Sequence, residues 1–160
     1  MMRTVLFTLL IIIGGLSCKQ NSKGGEYETN PNEITWLDIA AADELQNGEG
    51  KGYFIDVYTE WCGWCKVMDR NTFTNPEVIK VMNEKFHNIK FDAEMKEQIS
   101  FGGKDYQWQA GGRNGVNTLA LDLLKGDLSF PSYVILDANK KPINIYKGYM
   151  EAESFLQLIR

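Results

Sequence analysis

Residues 53–66 read Tyr53-Phe54-Ile55-Asp56-Val57-Tyr58-Thr59-Glu60-Trp61-Cys62-Gly63-Trp64-Cys65-Lys66. The first six are nearly all apolar or aromatic, the pattern of a strand covered on both faces, with Asp56 as the exception. The Cys-x-x-Cys that follows is expected to open a helix. There, positions i and i+3 share a face, so the two sulfurs can close a small disulfide ring without moving the backbone. The first cysteine then sits over unpaired backbone N–H groups at the positive end of the helix dipole, which favours thiolate over thiol. Gly63 lets a partner chain approach that sulfur.

Two other uses of such a pair are a structural zinc half-site and inert packing. Zinc takes about four N or S ligands. Beyond this pair the chain offers only Cys18 and the single histidine, His87, so a closed site within one chain is not available and no metal is assigned. Inert core cysteines stay open as an alternative, with Gly63 and the flanking Trp61 and Trp64 speaking against plain packing. The expectation is redox chemistry by dithiol exchange, without a bound cofactor.

At 160 residues and 44% hydrophobic content, the chain suits one domain plus a leader. Its net charge of −4 offers no basic field for nucleic acid. Residues 1–17 have the layout of an export signal: Arg3 is the positive start, Val5 to Ile13 the apolar stretch, and Gly14 to Ser17 small or apolar. The apolar run is short for a membrane span. Cys18 directly behind it resembles the lipidated first residue of bacterial lipoproteins. Gly15 stands where that motif usually has Leu and Leu16 where a smaller residue is commoner, so cleavage by ordinary signal peptidase or an uncleaved anchor stays open as an alternative. Residues 18–32 are polar, with Gly24-Gly25 and Asn30-Pro31, and are expected to form a flexible tether. The chain is therefore expected to be an exported, cell-envelope lipoprotein anchored to a membrane through Cys18 and facing the periplasm, a compartment in which disulfides persist.

From residue 33 onward the pattern gives a strand at Ile34-Thr35-Trp36, a helix from Asp38 to Gln46 stopped by Asn47-Gly48, and the strand already quoted. The helix opened by Cys62 runs towards Thr72. Thr74-Asn75-Pro76-Glu77 starts another helix, carrying Val78, Met82 and Phe86 on one face. Asn88 to Ala93 alternates as a strand, with His87 a surface residue before it. Ile99 to Gln109, turning at Gly102-Gly103, suits a small β-hairpin, and a glycine-rich loop leads into a helix from Asn117 to Lys125. After Pro131 come the strands Ser132 to Leu136 and Ile143 to Tyr146, and Gly148 precedes a last helix from Glu151 to Ile159. The fold class is α/β: a central mixed sheet with helices on both faces and a hairpin insertion at about 95–115 within a domain of residues 33–160.

That order and the Trp-Cys-Gly-Trp-Cys motif resemble thioredoxin-fold proteins over roughly Ile34 to Ile159. Trp64 replaces the proline common between the cysteines of thioredoxin itself, Phe130 precedes the proline, and residues 99–115 are extra. Trp64 and the segment Asn71 to Val78 are more similar to exported thioredoxin-like proteins and to the C-terminal domain of membrane thiol-disulfide interchange proteins. The resemblance implies that Asp56 is the family's buried acid, Lys90 in Ile-Lys-Phe-Asp the lysine beside it, Pro131 the cis-proline facing the disulfide, and Gly148 the glycine before the last helix.

On this basis Cys62, at the helix N-terminus and nearer solvent, is the attacking thiolate, and Cys65, one turn deeper, resolves the mixed disulfide. Asp56 would exchange a proton with Cys65, unless it merely caps a turn. Lys90 would tune that proton or lie on the surface. Trp61, Gly63, Trp64, Phe130 and Pro131 would hold substrate, with the backbone edge at Pro131 pairing to it if the bond is cis. The expected partners are protein disulfides or thiols and a redox partner protein. The alternative function is a copper-binding or protein-binding module without turnover. It rests on Met68, which makes a Cys-x-x-Cys-x-x-Met spacing soft enough for Cu(I) unless it packs in the core, and on the hairpin insertion.

Overall fold

The computed structural model describes residues 30–45 and 50–160. The leader, Cys18, most of the tether and the expected helix stop at Asn47-Gly48 lie outside the described residues. A five-stranded sheet of order β1-β3-β2-β8-β9 forms the centre. It comprises β1 (Trp36–Leu37), β2 (Gly52–Tyr58), β3 (Phe86–Asp92), β8 (Ser132–Leu136) and β9 (Pro142–Lys147). β3 runs parallel to both β1 and β2, whereas β8 runs antiparallel to β2 and to β9, which makes the sheet mixed.

Because side chains alternate across a strand, each central strand feeds two cores. Ile55 and Val57 of β2, Ile89 and Phe91 of β3, and Val134 and Leu136 of β8 pack against α1 (Ile39–Glu44) and α4 (Thr118–Leu123). Phe54 of β2 and Tyr133 and Ile135 of β8 face the opposite side, with Met68 of α2 (Gly63–Asn71), Val78 and Met82 of α3 (Pro76–Lys85) and Phe155 and Ile159 of α5 (Ala152–Ile159). Asp56, two residues beyond Phe54, therefore points to the α2 side. So do its cross-strand partners Lys90 and Tyr133, since directly opposed residues share a face.

Helix starts follow the cap chemistry. The side chains of Asp38, Asn75 and Asn117 accept backbone N–H groups of α1, α3 and α4; each such cap is worth about 1 kcal/mol. Gly148, with φ +84°, turns the chain ahead of α5 in a conformation disfavoured for other residues.

Three local expectations are corrected. The first strand is only Trp36–Leu37, because its pairing to β3 is confined to two positions. Phe86 is not on the α3 face: the helix ends at Lys85, and Phe86 begins β3. His87 is a half-buried residue within β3, its ring 5.3 Å from that of Tyr53.

Between β3 and α4 the chain forms two ribbons. The expected hairpin pairs β4 (Ile99–Phe101) with β5 (Lys104–Tyr106) through Gly102 and Gly103, both at positive φ as a two-residue hairpin loop requires. Ile99 and Phe101 enter the first core, and Gly102 N–H donates to Asp43 of α1. A second ribbon, β6 (Trp108–Gln109) with β7 (Val116–Asn117), closes the glycine-rich loop on itself.

Candidate functional site

The end of β2 delivers Thr59, whose carbonyl accepts the Cys62 N–H at 3.0 Å and turns the chain into α2. Cys62 is the N-cap of that helix, and a disulfide joins it to Cys65, with the Cα atoms 5.3 Å apart. The Cys62 sulfur accepts the Cys65 N–H at 3.1 Å. The same N–H would stabilise a thiolate there once the bond is reduced. Both cysteines are only 3% exposed. Cys62 is thus not nearer solvent than Cys65 in the disulfide state, and its distinction is its position at the head of the helix. Gly63 has open space where a side chain would be.

Trp61, just before the pair, and Trp64, between the two cysteines, stay in solvent at 56% and 60% exposure. Trp61 stands edge-on to Phe130 at 5.9 Å and donates its indole N–H to Glu94 at 2.8 Å. Trp64 lies 5.4 Å from Tyr149. The Phe130–Pro131 bond is cis, and the Pro131 carbonyl accepts the Gly148 N–H at 2.8 Å, which fixes the loop beside the rim. The structure thus gathers Trp61, Gly63, Trp64, Phe130 and Pro131 about one end of the sheet. It adds Glu94 and Tyr149, which sequence reasoning missed.

On the sheet face beneath α2, Asp56 is 2% exposed, so it is not a turn cap. One of its oxygens lies 2.9 Å from Lys90 Nζ, and the other meets no hydrogen-bond donor among the described residues. Lys90 is not a free surface lysine: it also binds Asp69 on α2 and lies 5.2 Å from the ring centroids of Trp36 and Tyr58. Burial, opposed by Lys90 and aided by the charge of Asp69, pushes the Asp56 carboxyl up to about 6. Lys90 is held above its ordinary value: burial pulls it down, but Asp56 and Asp69 outweigh that. Burial also raises the Tyr133 phenol, and the carboxylates Asp56 and Asp69 add to the effect. Asp69 was missed in the sequence, although its position four residues after Cys65 places both on one side of α2. An acid that ionises near neutrality on the face below a cysteine-bearing helix can take up and return a proton.

Met68 is 1% exposed, and its thioether accepts the Met150 N–H at 3.3 Å. It is a core residue and could not ligate Cu(I) beside the cysteines without unpacking. Among the described residues no cluster of three or more His, Cys, Asp or Glu is placed to hold a metal, and no helix is long and apolar enough to cross a membrane.

Comparison with known proteins agrees with this geometry. A thiol:disulfide interchange protein DsbD of Tatumella citrea is 26% identical over 119 residues, covering 73% of this chain and 17% of that protein. The chain thus spans less than a fifth of that relative's length. A thioredoxin from Thermus thermophilus superposes with a TM-score of 0.60 at 17% identity, covering 80% of this chain and 85% of that one. The DsbD C-terminal domain of Neisseria meningitidis, in its reduced form, gives 0.51 at 18% identity, covering 78% and 96%. These structural likenesses establish the thioredoxin fold. The profile of the Thioredox_DsbH family, described as a protein of unknown function, DUF255, matches residues 26–154. That span runs from before the first strand into α5 and includes the Cys62–Cys65 pair, so the chain belongs to the thioredoxin-like Thioredox_DsbH family.

Proposed function

We propose that this protein is an exported, membrane-tethered thiol-disulfide oxidoreductase that exchanges disulfides with protein substrates through Cys62 and Cys65. The observation that carries this reading is a disulfide at the head of α2, ringed by two exposed tryptophans, with the buried Asp56 on the sheet face under the same helix. In the reducing direction, the Cys62 thiolate attacks a substrate disulfide and expels one substrate thiolate, leaving a mixed disulfide. Asp56 accepts the Cys65 proton, and the Cys65 thiolate attacks the Cys62 sulfur, releasing the second substrate thiol. Two electrons pass to the substrate, and the domain is left with its Cys62–Cys65 disulfide for a redox partner protein to reduce. Run backwards, the same steps oxidise a dithiol.

Export and tethering are supported by the sequence of residues 1–18, with Cys18 as the lipid-bearing residue and 18–32 as the tether to a periplasm-facing domain. The activity is tested by insulin reduction with dithiothreitol, alongside Cu(I) titration of the same protein. Acceleration that is lost in Cys62→Ser supports the proposal. Retention of copper in a fixed ratio without acceleration would replace it with a binding module.

A further inference from the structure

The loop that closes the second ribbon of the insertion is tied directly to the rim of the disulfide. Asn114 of this loop donates to one oxygen of Glu94 at 2.9 Å, and Trp61, the residue before Cys62, donates to the other at 2.8 Å. One carboxylate therefore holds the active-site tryptophan and the insertion at a fixed spacing. The loop is pinned further from within: Gly115 N–H donates to the Gly111 carbonyl at 2.7 Å, and any side chain at Gly115 would run into the Trp108 ring.

Between these walls lies a groove of about 380 Å³. Its apolar lining includes Trp61, Val116, Leu128 and Phe130, and Leu128 is one of the few large apolar side chains left exposed among the described residues. The size is near the lower end of small-ligand sites, roughly 300–1,000 Å³. It suits one large side chain of an extended segment and is too small for a folded element. Two lining residues fix where that segment must come from. Trp61 adjoins Cys62 and Phe130 adjoins Pro131, and their rings touch, so the groove mouth is continuous with the rim of the disulfide.

We infer that this groove is a specificity subsite, which takes an apolar, aromatic-sized side chain next to the cysteine of a protein substrate bound at Cys62. The inference rests on the oxidoreductase reading above and gives it a substrate class: polypeptide disulfides whose cysteine has a bulky apolar neighbour. Insertion loop and catalytic rim form the two walls, so substrate choice is set by a segment that a plain three-layer domain would lack.

The test uses the full chain, reduced and freed of reductant, and short peptides whose single cysteine carries thionitrobenzoate as a mixed disulfide. Attack of the Cys62 thiolate on the peptide sulfur expels coloured thionitrobenzoate. Attack by Cys65 then forms the Cys62–Cys65 disulfide and frees the peptide thiol, so two electrons leave the protein per peptide. Peptides with Phe, Ala or Glu on either side of the cysteine are compared. The expected result is a second-order rate constant for thionitrobenzoate release at least tenfold higher for Phe than for Ala, about 1.4 kcal/mol. Gly111 lines the groove, is not among the positive-φ glycines and has open space at its Cβ, so Gly111→Phe adds bulk there from an unobstructed backbone position. In that variant the Phe preference should fall to near one. Equal rates for Phe and Ala in the unaltered protein, a preference for Glu, or a Phe preference retained in Gly111→Phe would each overturn the subsite. A protein that reacts with none of the peptides would overturn the oxidoreductase reading itself.

Discussion

Lys90 Nζ lies 2.9 Å from a carboxylate oxygen of the buried Asp56, and the same ammonium binds Asp69 on the helix that carries Cys65. Two acids thus compete for one cation on the sheet face under that helix. The deeper acid is only partly neutralised, with one oxygen that meets no donor among the described residues. Burial, only partly offset by Lys90, therefore raises its carboxyl to about 6.

Replacing Asp56 by Asn should slow resolution about a hundredfold, within the usual range for losing a positioned base, and affect first attack much less. The amide cannot accept the Cys65 proton, whereas Cys62 has its thiolate stabilised by the helix N-terminus. Rapid quenching with an alkylating agent should then catch substrate attached to Cys62. Equal slowing of both steps would make Asp56 a structural residue.

The same group should leave a mark on stability. Its carboxyl rises from 3.8 to about 6 on folding. Below about pH 4 folded and unfolded chains both hold the proton, and between about 4 and 6 only the folded chain does. Stability should therefore fall as pH rises through that window, by a total of about 3 kcal/mol for a shift of about two units. Denaturant unfolding of the oxidised protein at pH 4.5 and 7.5 would reveal it, and Asp56→Asn should flatten the difference. A stability that rises across this window with the acid present and is unchanged by the substitution would contradict the assignment.

Asp69→Asn and Lys90→Met should move Asp56 in opposite directions. Asp69 raises the Asp56 carboxyl and Lys90 lowers it, burial being the largest influence in both cases. Losing Asp69 also frees Lys90 to pair with Asp56 alone, so the acid limb of the resolution rate should shift to lower pH. Losing Lys90 should shift it to higher pH. Tyr133 from β8 and Tyr58 from β2 also face this group, and both stay protonated throughout because burial raises them. A limb that stays fixed in both variants would show that Asp56 does not set it.

Cys18 should decide where the domain resides. Replacing it by Ser is expected to move the protein from the membrane fraction to the soluble fraction of the cell envelope. Identical fractionation with and without the cysteine would remove the lipid anchor.

Much of this site could be read along the chain because its chemistry is local. A run of buried strand residues broken by Asp56, then two cysteines at helical spacing, defines both the turn into α2 and the face that carries the acid. Asp69 was legible in principle, since four residues along a helix return to the same side, but nothing in its own neighbourhood sets it apart from a solvated helix charge. Its role appears only when β3 brings Lys90 up to it. The second ribbon escaped notice because β6 and β7 are two residues each, too short for an alternating pattern, and are held by Trp108 seated on Gly115. Glu94 follows β3 as an ordinary turn acid in sequence, and only the fold makes it the clasp between Trp61 and Asn114.

The most direct test of dithiol exchange is a redox titration of the two thiols. The protein is equilibrated in glutathione buffers of graded ratio, quenched with an alkylating agent, and its labelled cysteines are counted by mass spectrometry. The expected result is that Cys62 and Cys65 gain and lose label together along a single two-electron curve, with a tenfold change in equilibrium constant for every ~30 mV. Labelling of both thiols in every buffer, or of one without the other, would contradict the exchange.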